Sequence, residues 1–146
     1  MSDEVALLVA DVFEAAGALR KSGEVIAASQ GQTQARWQLL SVASGTPLTV
    51  AQAARRLGVA RQGVQRLAND LASESLVDFR PNPDHRSSPL LELTPTGRRV
   101  LDEITVRAAE VHRRLAADIP ADEITAAREL LRRVIDEVRR QQEGQG

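Results

Sequence analysis

The fold is decided by residues 50–69, which read VAQAARRLGVARQGVQRLAN. Ala54 is small where two crossing helices would approach most closely, and Gly58 follows four residues later at a turn that needs a positive φ. Thr49 stands before the first helix and can cap it. Five further positions are apolar where the two helices need inward contacts: Ala53, Leu57, Val59, Val64 and Leu67. The stretch therefore predicts a helix-turn-helix unit.

The second helix of this unit, at about residues 61–73, is predicted to have two unlike faces. One face is apolar: Val64, Leu67, Ala68 and Leu71. The opposite face is polar and has no acid between its first and last members: Arg61, Gln62, Gln65, Arg66 and Asn69. Arginine prefers guanine edges, whereas glutamine and asparagine prefer adenine. An ordinary solvated face usually carries Glu and Lys of mixed sign, so we interpret this face as a surface that reads DNA.

The start of the first helix offers a second contact with DNA. Thr49 and Gln52 can reach phosphates through the hydroxyl, the amide and free backbone N–H groups. Helix capping is an alternative role for Thr49, and both roles can hold together. Arg55 and Arg56 can reach phosphate or remain solvated, and the sequence does not decide between the two.

In residues 76–94 the helical spacing of apolar residues changes to alternation of apolar and polar residues on either side of a loop of turn formers. This pattern predicts a β-hairpin with a long tip. The tip carries Asp84, His85 and Arg86. A projecting arginine is suited to the minor groove, whose negative potential is greatest where the groove narrows. We expect Asp84 to pair with Arg86 and to hold its guanidinium in one orientation. For His85, a contact with DNA and an exposed loop position without a role are both compatible with the sequence.

Three long segments repeat apolar residues at spacings of three and four, which predicts amphipathic helices. The three long segments lie at about residues 3–29, 95–119 and 121–142. A shorter helix is predicted at about residues 33–43. Thr94 as N-cap and Pro95 at the first helical position mark one start, while Gly17 and Gly23 predict a bend or break in the first helix. Three apolar seams of this length are hard to bury in one small subunit, so they predict a homodimer.

Composition excludes several classes of function. Residues 49–100 carry eight arginines against five acids, which makes them the basic part of a chain of net charge −1. The chain has no cysteine and two histidines that are far apart in sequence, so we expect no metal site. No nucleophile stands beside a base and no glycine-rich phosphate loop occurs, so we expect neither enzymatic activity nor a cofactor. The chain has no run long enough for a membrane span and no signal-peptide pattern at its start, so we expect a cytoplasmic protein without membrane contact.

Nearly the whole chain resembles the MarR family of bacterial regulators. The likeness is most specific in residues 57–71, in Asp84-His85-Arg86 and in the run from Leu91 to Gly97, which reads LELTPTG. The resemblance implies a mainly α fold with a small β-hairpin wing, a winged helix-turn-helix flanked by N- and C-terminal dimerisation helices. It implies one domain over residues 1–146, organised as follows: a DNA-binding lobe at 33–100 and dimerisation helices at 1–30 and 101–146.

The resemblance also implies a function, that of a sequence-specific regulator of transcription which binds double-stranded DNA. We expect a homodimer on a palindromic operator, acting as a repressor and released by a small aromatic ligand. The residues expected to contact DNA are Thr49, Gln52, Arg61, Gln62, Gln65, Arg66, Asn69, Asp84, His85 and Arg86. Phe13, Trp37 and His112 are expected to line the ligand pocket, with a place in the core as the alternative for Trp37. The alternative function is that of a winged-helix protein-interaction module without DNA binding, in which acids or apolar residues would accumulate on the polar face of residues 61–69.

Three departures from the family pattern carry further expectations. Ser75 stands where the family usually has glycine, which predicts a left-handed backbone at a serine. Ala60 replaces the usual Ser or Thr and removes the N-cap of the second helix. The absence of cysteine excludes sensing by thiol oxidation.

Overall fold

The computed structural model describes residues 3–145, which fold into helices and one β-hairpin. In chain order the elements are α1 (Glu4–Ala28), α2 (Gln34–Gly45), α3 (Val50–Leu57), α4 (Arg61–Ser73), β1 (Val77–Arg80), β2 (Leu90–Leu93), α5 (Pro95–Leu115) and α6 (Ala121–Glu143). The predicted fold class, mainly α with a hairpin after a helix-turn-helix, is confirmed.

Helices α1, α2, α3 and α5 begin where a polar side chain accepts hydrogen bonds from free backbone N–H groups. Asp3 accepts from the N–H groups of Val5 and Ala6 at the start of α1, and Thr33 accepts from that of Arg36 at the start of α2. Thr94 Oγ1 accepts from the N–H of Gly97 at 3.0 Å, which confirms Thr94 as the predicted cap of α5.

Of the bend or break predicted at Gly17 and Gly23, the break does not occur, because helix α1 is continuous from Glu4 to Ala28. Gly23 has a different task. A Cβ at this position would lie 2.7 Å from Cγ of Gln34 and 3.6 Å from Cζ3 of Trp37. The missing side chain therefore lets α2 approach α1 closely, a requirement that helix periodicity does not reveal.

By its internal packing the described part of the chain forms two compact units, which divide after Ala108. The first unit contains a core shared by α2, α3, α4, the hairpin and the start of α5. Its largest fully buried side chains outside α5 are Leu39, Leu40, Val64, Leu71, Val77 and Leu91. Because these residues come from every element around the helix-turn-helix, the aliphatic core fixes the direction in which α4 points.

The hairpin is antiparallel, with Val77 opposite Leu93 and Phe79 opposite Leu91. The N–H of Leu91 also donates to the carbonyl of Leu48 at 2.8 Å, so the segment before α3 pairs with the free side of β2. This pairing ties β2 to the start of the helix-turn-helix.

The junction between α4 and β1 confirms the expectation for Ser75, whose φ is 63°. The Thr94 hydroxyl donates to the carbonyl of Ser75 at 2.7 Å. The backbone N–H of Thr94 donates to the carbonyl of Leu76 at 3.1 Å. Arg36 of α2 forms an ion pair with Glu74, the residue after α4. These contacts hold the left-handed residue in place and fix the C-terminal end of α4.

Replacing Ser75 by glycine should raise the free energy of unfolding by about 1 kcal/mol, because glycine adopts positive φ without the steric cost that other residues carry. Unfolding by urea can be followed through Trp37, the single tryptophan of a chain without tyrosine. Ser73→Gly is the matched control, since Ser73 is helical and glycine there should lower stability. Equal stability of the Ser75→Gly variant and the wild type would mean that the positive φ of Ser75 has no steric cost.

Two helices outside the core carry exposed apolar side chains. On α1 these are Val5, Leu7, Val9, Val12, Phe13, Leu19 and Val25. Helix α6, which belongs to the second unit, has no buried residue, and its exposed apolar side chains include Ile124, Leu130, Leu131 and Val138. Within residues 3–145 no helix has the length and apolar character to span a membrane.

Candidate nucleic-acid interface

Helix α3 starts with a reciprocal cap. Thr49 Oγ1 accepts from the N–H of Gln52 at 3.1 Å, and Gln52 Oε1 accepts from the N–H of Thr49 at 2.9 Å. The capping role of Thr49 is therefore confirmed, and its side chain is buried. Gln52 is exposed and keeps its amide N–H groups free of the cap, so the predicted phosphate contact falls on this amide and on the backbone.

The turn between α3 and α4 follows the expected pattern except at one residue. Gly58 is left-handed with φ 68°, and Ala54 is buried where the helices cross. The N–H of Val59 donates to the carbonyl of Ala54 at 3.1 Å, which closes the end of α3. The prediction that Val59 makes an inward contact is wrong, because the left-handed turn directs the chain outward and leaves this side chain 52% exposed. Ala60 provides no side-chain cap, as expected.

Helix α4 has the two predicted faces. Val64, Ala68 and Leu71 are fully buried, and Leu67 is half-buried. The five polar residues of the opposite face, which we call the polar stripe, are all exposed: Arg61, Gln62, Gln65, Arg66 and Asn69. Because the apolar face is anchored in the core, the stripe is held toward solvent along the length of the helix.

The structure brings the stripe next to the hairpin. A cleft of about 40 Å³ is shared by the start of α3, by α4 and by the hairpin loop. Its lining residues are Thr49, Val50, Ala51, Arg61, Gln65, Ser87, Ser88 and Pro89. The cleft therefore brings Thr49 close to Arg61 and Gln65 and to the C-terminal part of the hairpin loop, whereas Asp84, His85 and Arg86 do not line it. The approach of the hairpin loop to α4 depends on tertiary packing, so it could not be predicted from residue patterns.

A second, open groove of about 360 Å³ lies beside α3. It is lined by Thr46, Pro47, Leu48, Gln52, Arg55 and Arg56. Arg55 and Arg56, whose role the sequence left open, border this groove together with Gln52. The two arginines extend the basic surface beyond the polar stripe.

The hairpin tip is organised by Asn82, a residue that the sequence analysis missed. Its Oδ1 accepts from the N–H of Asp84 at 3.1 Å, and its Nδ2 donates to the carbonyl of Ser88 at 3.0 Å. The sequence contained a signal for this role, because an asparagine in a turn often accepts a hydrogen bond from the backbone N–H two residues later and so forms an Asx turn.

Asp84, His85 and Arg86 are all exposed at this tip. The expected ion pair between Asp84 and Arg86 is wrong, because the structure forms none between these two residues. The Asn82 contacts fix the backbone without help from either charge, and an ion pair in full solvent gains little against the ordering of two side chains.

The three residues predicted for a ligand pocket have different surroundings. Trp37 is half-buried and packs against the core, which supports the alternative role of this residue. Phe13 is 72% exposed on α1, and His112 is exposed on α5. None of the three lines the cleft or the groove described above. Across residues 3–145 no group of three or more His, Cys, Asp or Glu side chains could hold a metal ion.

Comparison with known proteins agrees with this geometry. Residues 30–86 match the sequence model of the MarR family. The chain is 64% identical over 135 residues to an uncharacterized protein of Mycobacterium tuberculosis, a match that covers 92% of this chain and 94% of that protein.

Two solved structures show the same fold. One is the PcaV transcriptional regulator from Streptomyces coelicolor in complex with its natural ligand, with a TM-score of 0.68, 25% identity and coverage of 83% of this chain and 89% of that one. The other is a mutant MarR from Escherichia coli complexed with operator DNA, with a TM-score of 0.77, 22% identity and coverage of 91% and 99%. The winged-helix architecture is thereby confirmed.

Proposed function

The chain belongs to the MarR family of transcriptional regulators, and from this premise we propose that it is a homodimeric repressor that binds a palindromic operator in double-stranded DNA. The observation that carries the proposal is the polar stripe, which faces solvent and contains no acid. Arginine, glutamine and asparagine, which make up the stripe, are the residue types that recognise base edges in the major groove.

The surroundings of the stripe fit the docking of a winged helix. In this proposal α4 enters the major groove, the start of α3 lies against phosphates, and Arg86 at the hairpin tip reaches the adjacent minor groove. The cleft supports this arrangement, because its lining comes from α3, from α4 and from the hairpin loop. His85 lies beside Arg86 and shares its exposure, so it belongs to the same contact.

Dimerisation is proposed through residues 1–30 and 101–146, with residues 33–100 as the DNA-binding lobe. Support comes from the exposed apolar side chains along α1 and along α6, since repeated exposure of large apolar residues on a helix is typical of association sites. A two-fold dimer would present two copies of α4 to half-sites about one helical turn, ~34–36 Å, apart.

Release by a small aromatic ligand is a further part of the proposal. PcaV was solved with its natural ligand, which supports ligand binding in this fold. The fluorescence of Trp37 provides a direct assay, because no other tryptophan and no tyrosine contributes. A phenolic compound that lowers DNA affinity and changes this emission would support the assignment of Trp37 to the pocket.

The test of the proposed function is a gel-shift titration on the DNA upstream of the gene, at several salt concentrations. Neutralising six to ten phosphates should lower the affinity by about 10³–10⁵ between 50 and 200 mM salt. Undetectable binding, or binding that salt does not affect, would reject the proposal in favour of a protein-interaction module. In that case the polar stripe would be a surface for a partner protein.

Removal of the tip arginine by Arg86→Ala should lower DNA affinity about tenfold and reduce the salt slope by about one, because one cation is lost from the minor groove. The dimer and the stability should not change, since Arg86 is exposed. Arg80→Ala is the matched control, because it removes the same charge from the same hairpin where Glu92 already pairs with it at 2.6 Å. Equal affinities of the Arg86→Ala variant and the wild type would exclude the tip from the interface.

A further inference from the structure

Two members of the polar stripe bond to each other. Gln65 and Asn69 are one helical turn apart on α4, and Gln65 Nε2 donates to Asn69 Oδ1 at 3.0 Å. Within residues 3–145 this is the one hydrogen bond between side chains of the stripe, and Arg61, Gln62 and Arg66 have no side-chain partner. One amide pair in the stripe is thus ordered before any DNA is bound.

We propose, as a consequence that rests on the proposed function, that Gln65 reads an adenine and that Asn69 is a positioning residue without a base contact of its own. A glutamine recognises adenine with two groups at once, an oxygen that accepts from N6 and an N–H that donates to N7. Gln65 has two amide hydrogens and gives one to Asn69. The second hydrogen and the carbonyl oxygen remain, which are the two groups that adenine requires.

The same conclusion holds if both amides are reversed. Asn69 Nδ2 would then donate to Gln65 Oε1, and Gln65 would retain a lone pair and both amide hydrogens. In either orientation the hydrogen bond to Asn69 restricts the long side chain of Gln65 and still leaves a complete adenine contact.

The position of each residue along α4 separates the two roles. Recognition helices place their N-terminal residues against base edges. Arg61 begins α4, Gln65 follows one turn later and Asn69 lies two turns from the start. Gln65 also lines the cleft opposite Ser87 and Ser88 of the hairpin loop, so its side chain is bounded by the hairpin on one side and by Asn69 on the other. Preorganisation of this kind raises affinity because fewer torsions are ordered on binding.

The experiment is selection of bound duplexes from a random DNA pool with the full-length chain and three variants: Gln65→Ala, Asn69→Ala and the double variant. We expect the wild type to enrich adenine at one position of each half-site and Gln65→Ala to lose that preference by about tenfold. Asn69→Ala should weaken the preference at the same position and at no other. The double variant should match Gln65→Ala, because a positioning residue has no effect once its target is gone.

A chemical control identifies the adenine contact itself. Replacing the selected adenine by 7-deazaadenine removes the N7 acceptor, which should lower the affinity of the wild type about tenfold and leave Gln65→Ala unaffected. Gln62→Ala serves as the matched amide control and should retain the wild-type response to 7-deazaadenine.

Each remaining outcome overturns part of the argument. A change at a second base position in Asn69→Ala would show that Asn69 contacts DNA, and an unchanged preference in that variant would remove its positioning role. If the selected palindrome keeps its adenine preference with the Gln65→Ala variant, Gln65 does not read the adenine, and the proposed function still holds. A wild-type chain that enriches no sequence would overturn the proposed function itself.

Discussion

Replacing Gly97 by alanine is expected to lower the free energy of unfolding by about 3 kcal/mol. A Cβ at Gly97 would lie 1.9 Å from the carbonyl oxygen and 2.9 Å from the carbonyl carbon of Leu76. Both atoms belong to the backbone, so no side-chain rotation can relieve the overlap. The start of α5 would have to move away from Leu76, and Thr94 would then lose its bonds to Ser75 and Leu76.

The same substitution at Gly63 provides a control with the opposite expected sign. Gly63 is also helical, and a Cβ there would meet nothing within 4 Å. Alanine should therefore stabilise α4 by about 0.5–1 kcal/mol through its higher helix propensity. Urea denaturation followed by Trp37 fluorescence measures both variants. Wild-type stability in Gly97→Ala would mean that α5 does not pack against Leu76 as closely as described.

Features that depend on local chemistry were predictable from the sequence. The Thr94-Pro95 start of α5, the left-handed Gly58 and the uncapped Ala60 are determined by a residue and its immediate neighbours. The two faces of α4 follow from helix periodicity, because residues at spacings of three and four share one side of a helix. For the same reason the bounds of the long helices could be predicted to within a few residues.

Features that depend on packing were not predictable. Gly97 looks like an ordinary helical glycine in the sequence, and only the approach of Leu76 shows why no side chain fits there. Gly23 predicted a bend or break in α1, and its pattern in the sequence does not show that it makes room for α2. The Asp84–Arg86 pair failed because spacing in the sequence does not reveal that both side chains stay exposed, where an ion pair gains little against the ordering of two side chains. The cleft between α4 and the hairpin loop joins residues that are far apart in the chain.

Reversal of both arginines in the polar stripe, by Arg61→Glu with Arg66→Glu, is expected to lower operator affinity about 1000-fold. Each arginine contributes ~1–3 kcal/mol when it makes a good base contact, and each glutamate would add a negative charge facing the phosphates. The salt slope should fall by about two, because two cations no longer displace counterions. Both side chains are exposed on α4 and outside the core, so folding should be unaffected.

The control must change the net charge equally without touching the proposed interface. Arg80→Glu with Arg99→Glu reverses two exposed cations on β1 and α5, outside both the polar stripe and the segments proposed for dimerisation, and gives the same overall charge. If long-range attraction by the whole chain governed binding, both double variants would lose affinity equally. A loss confined to Arg61 and Arg66, with the dimer intact in both variants by sedimentation, would locate recognition on the stripe. Equal affinities of the Arg61/Arg66 variant and the wild type would instead mean that α4 does not face DNA, since acids in a major groove cannot be neutral to binding.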